Sequence, residues 1–88
     1  MSQDSVVIVA AKRTPIGSFQ GTLSPAAAPD LSATATRACL SDSGIDPASI
    51  DEAFIGCVLP AGIGQAPARQ AVLAAGLPQS VGTTTINK

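Results

Sequence analysis

Apolar runs and helical periods alternate along this chain. The first run, Val6-Val7-Ile8-Val9-Ala10-Ala11, is β-branched in its first four residues, the pattern of a strand buried on both faces of a parallel sheet. Pro15, in Lys12-Arg13-Thr14-Pro15, ends it because proline has no amide to give a ladder. Gly17, Gly21 and Pro25 then punctuate a loop. Leu31, Ala35, Ala38 and Cys39 recur at i, i+4, i+7 and i+8, which predicts a helix over residues 30–43. Pro29 or Asp30 near its start and Gly44 just past its end are the residues that helix termini favour. Asp46-Pro47 predicts one short capped turn. Residues 53–59, Ala-Phe-Ile-Gly-Cys-Val-Leu, predict a second fully buried strand, closed by Pro60. Gly62 and Gly64 mark a loop, and a second helix is predicted from about residue 66 to 75, with Pro67 in its first turn and Gly76 as its stop. Residues 83–87 have the propensity for a short third strand. The order β-α-β-α-β defines an α/β fold, with a parallel sheet and right-handed crossovers.

Composition qualifies that picture. Eighty-eight residues make one small domain or a piece of a larger one. A chain of this size hides only about 60% of the surface its unfolded form exposes. With two Phe, no Trp, no Tyr and many alanines, little large apolar surface is available for burial. The sequence therefore predicts a layer that more protein must cover, and a chain that alone neither folds stably nor catalyses. Net charge is −1 and no basic cluster interleaves with aromatics, which argues against nucleic acid as a partner. The apolar runs are far short of the ~20 residues a membrane helix requires. Met1-Ser2-Gln3-Asp4 lacks the basic start of a signal peptide, so a cytoplasmic protein is expected.

Candidate chemistry is sparse. The absence of histidine removes Ser-His and Cys-His pairs from these residues. Cys39 and Cys57 have no metal-ligand spacing, and no metal or cofactor is expected. Cys57 falls mid-strand with no basic neighbour in sequence to stabilise a thiolate, and Cys39 falls on a helix's apolar face. Both are expected to pack in the core. Gly62-x-Gly64 begins a dinucleotide fingerprint, but Pro67 occupies the third glycine's place, and no P-loop is present. Arg13 is read either as part of a family signature or as a buried side chain satisfying carbonyls.

Three ordered blocks carry more information. They are residues 6–21, which include Arg13-Thr14-Pro15-Ile16-Gly17-Ser18-Phe19-Gln20-Gly21; residues 62–70, Gly-Ile-Gly-Gln-Ala-Pro-Ala-Arg-Gln; and Thr83-Thr84-Thr85-Ile86-Asn87-Lys88. Together they resemble the start of a thiolase of the acetyl-CoA acetyltransferase type. The resemblance implies a thiolase-like fold, with residues 1–88 as an incomplete β-α-β-α-β unit of the N-terminal half-domain. It also implies that Thr-Ile-Asn-Lys leads, after one apolar residue, into Cys-Gly-Ser-Gly. The acyl-accepting cysteine would then lie two positions past Lys88.

By the same resemblance, Gln65, Arg69, Asn87 and Lys88 are scaffold or subunit-interface residues near the site, and no catalytic or substrate-binding residue lies within residues 1–88. Lys88 is expected in inter-strand or inter-subunit contacts. Gln65 and Arg69 are the side chains expected to make fixed hydrogen bonds. Biosynthetic thiolases usually carry Asn where this chain has Ala66, so one side-chain hydrogen bond is expected to be missing there. The implied partners are the remainder of a thiolase polypeptide and a second copy, as a homodimer or homotetramer. Coenzyme A thioesters are the implied substrates. The implied activity is reversible acetyl transfer between two acetyl-CoA molecules, by two Cys, a His and an Asn-held water supplied by other segments. A 3-ketoacyl-CoA thiolase of broader chain length, and a non-catalytic fragment that kept only the thiolase start, are the alternatives.

Overall fold

Proline placement sets where the helices begin in the computed structural model, which describes residues 5–18 and 20–88. Helix α1 spans Ala28–Ser43, with Pro29 in the first turn, where its missing amide has no intrahelical partner to lose. Gly44 ends it at φ 72°, and its amide closes on the Leu40 carbonyl. A 3₁₀ turn, Pro47–Ser49, follows, capped as expected by the Asp46 carboxylate, which accepts from the Ala48 amide at 3.0 Å. Strand β1 is Glu52–Gly56, helix α2 is Pro67–Ala74 and strand β2 is Gly82–Ile86. The α/β class holds, with two helices and a parallel pair of strands. β1 and β2 pair in parallel from Glu52↔Gly82 to Gly56↔Ile86, with α2 as their crossover.

The first predicted strand is the main correction. Residues 6–11 join no ladder, and Val6, Val7, Ile8 and Val9 stand 102%, 69%, 89% and 56% exposed. β-branched residues favour extended backbone, but a strand also needs a partner edge. The one ladder among the described residues joins β1 to β2 and leaves β1's second edge unpaired. Val9 and Ala10 instead line a cavity of about 230 Å³ that also touches Cys39 and Leu40 of α1 and Ile55 of β1. Lys12 reaches Asp42 at 3.8 Å, but both side chains are exposed, so the pair contributes little. Chain dimensions reflect this detached segment. The radius of gyration is 14.3 Å, against roughly 12 Å for a compact chain of this length.

The second predicted strand is shorter than expected and one-sided. Ala53 and Ile55 are half-buried and turn toward α2, while Glu52, Phe54 and Gly56 are exposed on the opposite face. Both-face burial requires a second covering layer, and among the described residues the helices cover one face alone. The buried core is Ala33, Ala68, Ala71, Val72, Ala75, Leu77 and Val81, in which the largest fully buried side chain is Val72. In α1 the deepest residues are Pro29 and Ala33, not the predicted Leu31-Ala35-Ala38-Cys39 stripe, which is half-buried. Small residues lie where the two helices approach closely, and that line is displaced from the apolar stripe. No helix among the described residues is long and apolar enough to cross a membrane.

Candidate functional site

The carboxyl end of the β1–β2 pair gathers most of the singled-out residues. α2 runs back across the sheet, so its N-terminus returns to the end where the strands finish. Ala66, its N-cap, has no side-chain oxygen to offer the free amides of the first turn. The oxygen comes from β2 instead: Thr85 Oγ1 accepts from the Ala68 amide at 3.1 Å. This cap across seventeen residues ties the loop carrying Gln65 to the strand end carrying Asn87 and Lys88.

Gln65 is exposed and makes no side-chain hydrogen bond among the described residues. Its backbone carbonyl is used instead. Gln70 Nε2 donates to the Gln65 and Ile63 carbonyls, both at 2.7 Å, and so pins the 63–65 loop onto α2. The expected fixed hydrogen bonds thus belong to Gln70 rather than to Gln65. Arg69 does make fixed hydrogen bonds, but at the other end of the sheet and not beside the loop where they were expected. Its guanidinium donates to the Val81 carbonyl at 2.9 Å and to the Gln79 carbonyl at 2.7 Å, bracing the turn that feeds β2. Arg37 links the helices similarly, donating to the Ala74 carbonyl at 3.2 Å. Arg13, by contrast, is exposed and donates only to the neighbouring Thr14 carbonyl. The buried role is overturned, because the loop around it has no covering layer.

Ala66 has φ 48° and ψ 66°, in the left-handed region. An L-residue with a Cβ pays roughly 1–2 kcal/mol there, and Asn tolerates it better than Ala. That is a backbone reason for Asn at this position, beside any hydrogen bond its side chain makes.

Both cysteines are free and half-buried. Cys57 lies just past β1, not within it, and its amide donates to the Ile86 carbonyl at 2.8 Å. Neither thiol belongs to the buried core, which corrects the core-packing expectation. Asn87 and Lys88 are exposed. The Lys88 amide closes on the Ile86 carbonyl at 2.8 Å, a three-residue turn centred on Asn87. Of the residues that sequence reasoning passed over, Gln70 had a signal in the 62–70 block. Thr85 had none, because a threonine in a strand is unremarkable until its partner is seen.

A parallel β-α-β crossover, with its loops and strand ends gathered at the carboxyl edge, is the geometry at which α/β proteins build their sites. The family model described as the thiolase N-terminal domain matches residues 6–88, and the chain belongs to the thiolase family. It is 53% identical to the cytosolic acetyl-CoA acetyltransferase of Gibberella zeae over 94% of its own length and 21% of that protein. To the acetyl-CoA acetyltransferase of Pseudomonas aeruginosa it is 53% identical over the same shares, 94% and 21%. To the mitochondrial acetyl-CoA acetyltransferase B of Xenopus laevis it is 54% identical over 97% of its length and 20% of that protein. The chain spans about a fifth of the length of these relatives.

Proposed function

We propose that residues 1–88 form the opening part of an acetyl-CoA C-acetyltransferase, with coenzyme A thioesters as substrates and no further cofactor. The observation that carries this reading is the identity of about half of all positions to proteins named for that activity, across nearly the whole chain. The nucleophile is a cysteine two positions past Lys88. Its thiolate attacks the acetyl carbonyl of one acetyl-CoA, and the C–S bond to coenzyme A breaks, releasing free CoA once the leaving thiolate is protonated. A base then removes an α-proton from a second acetyl-CoA. The enolate carbon attacks the stored acetyl group, the enzyme C–S bond breaks, and acetoacetyl-CoA leaves. The proton taken by the base balances the one gained by CoA. Hydrogen-bond donors aimed at the enolate and tetrahedral oxygens supply the largest share of the acceleration.

Residues 1–88 contribute scaffold to this cycle. Gln65, with Gln70 beneath it, Asn87 and Lys88 shape the strand ends, Arg69 braces β2 from the far side, and the open sheet face and Lys88 contribute to contacts with the remainder of the polypeptide and a second subunit. A cytoplasmic location fits the Gibberella relative's name, whereas the Xenopus relative's name places that protein in mitochondria.

The test is to mix the complete protein with acetyl-CoA and map the modified peptide. The expected result is one acetyl thioester, on the cysteine that follows Lys88, with stoichiometric CoA release and then acetoacetyl-CoA. Acetylation of Cys39 or Cys57 instead, or full activity after that cysteine is alkylated, overturns the reading. Comparing thiolysis of acetoacetyl-CoA with that of a longer 3-ketoacyl-CoA decides the chain-length class.

A further inference from the structure

Between β1 and α2 the chain runs Cys57-Val58-Leu59-Pro60-Ala61-Gly62-Ile63-Gly64-Gln65-Ala66, and Gln65 is the one residue there whose side chain bears an amide, a hydroxyl or a charge. A loop so short of polar groups is nevertheless held in a costly shape. Gly62, Gly64 and Ala66 alternate along it at φ 80°, 85° and 48°. Glycine adopts that region freely, but Ala66 carries a Cβ into it, which is strain. Such strain persists where the surroundings over-determine the backbone, and it gathers at functional sites.

The surroundings here are Gln70 and Thr85. Both protons of Gln70 Nε2 are used, on the Ile63 and Gln65 carbonyls at 2.7 Å each, so the residues on either side of Gly64 are held to one atom. Gly64 itself lies against that amide. A Cβ built on it would stand 3.1 Å from Gln70 Nε2, whereas one built on Gly62 would meet nothing within 4 Å. Thr85 accepts from the Ala68 amide and fixes the far end of the loop. A primary amide is the uncharged side chain that supplies two donors from one atom. An ionised glutamate of the same shape supplies acceptors only, and a methionine of similar length supplies no donor. The Gln65 carboxamide is left exposed, with no hydrogen bond among the described residues. It stands at the carboxyl end of the parallel strands, where α/β proteins bind their ligands.

We propose that Gln70 is a positioning residue that acts through Gln65: it holds the 62–66 loop in the strained form that presents the Gln65 carboxamide for a hydrogen bond at the strand ends. That this hydrogen bond serves acetyl transfer rests on the reading above.

The experiment is a double-mutant cycle in the complete protein, with kcat/KM for thiolysis of acetoacetyl-CoA as the readout. Gln65→Ala is expected to lower kcat/KM about fivefold, the size of one neutral hydrogen bond, and Gln70→Met by a similar factor. The double variant is expected to be no worse than either alone, because Gln70 works only through Gln65. Gln70→Glu is expected to be at least as poor as Gln70→Met, although it keeps the shape of glutamine. A residue that merely stabilised α2 would give losses that multiply, to about 25-fold in the double variant. Multiplying losses, or wild-type kcat/KM in Gln65→Ala or in Gln70→Met, overturn the proposal. Should the Gln70 variants fail to fold, exchange of the Gln70 side-chain amide protons in the wild-type protein decides. Slow exchange supports the hold on the loop, and exchange as fast as that of free glutamine overturns it. If the wild-type protein transfers no acetyl group, the functional reading fails, while that exchange still judges the hold.

Discussion

Val6–Val9 and Phe54–Ile55 carry similar apolar signals, yet only the second pair lies in a strand. β1 has a parallel partner delivered by α2, and α2 has α1 behind it. The N-terminal run has neither a ladder nor a covering layer, and it stays exposed beside a cavity that it lines but does not fill. An apolar β-branched run thus specifies backbone extension, and the edge it meets decides whether a strand results. What separates the two regions is a neighbour, not a propensity.

The largest effect concerns whether the packed region can stand alone. Of its seven buried hydrophobic residues, four are alanines, so it removes little apolar area from water. Residues 1–88 alone are expected to melt without a cooperative transition in calorimetry. A sharp transition would break the comparison, by showing that α2 and its strands need no cover over Val6–Val9. Next comes Arg69, the brace of β2. In the complete protein Arg69→Ala should lower stability by about 2 kcal/mol, since two carbonyls lose a charged donor. Arg69→Lys should restore only part of it, because one ammonium does not reproduce the fork. Denaturant unfolding measures both, and a loss under a few tenths of a kcal/mol would mean that the turn before β2 holds itself.

Thr85→Val should cost about 1 kcal/mol, as removal of a helix cap does, with the strand itself retained. The smallest effect has the opposite sign. Ala66→Asn should raise stability by up to about 1 kcal/mol through relief at φ 48°. No gain in melting temperature would show that the left-handed turn relaxes in the complete protein.

Much of this fold was legible in the sequence, and the losses share a cause. Prolines and glycines placed α1, α2, the 3₁₀ turn and the second strand within a few residues, because Pro29, Gly44, Pro47, Pro67 and Gly76 act through local geometry. The missing first strand, the shorter β1, the exposed Arg13 and the half-buried cysteines all depended on which surfaces are covered, and periodicity does not report that. The site was legible in part for the same reason. Arg69 could be picked from the thiolase-like 62–70 block, but its partners at the far end of the sheet could not. Thr85 caps α2 through the amide of a residue seventeen positions away, and no local pattern announces such a partner.

The Thr85 cap also constrains the order of assembly. α2 is eight residues long, well below the length at which an isolated helix persists in water, and its capping oxygen belongs to a residue made seventeen positions later. During synthesis the crossover helix therefore lacks its cap until β2 has been made and has aligned with β1, so strand pairing and helix capping reinforce one another.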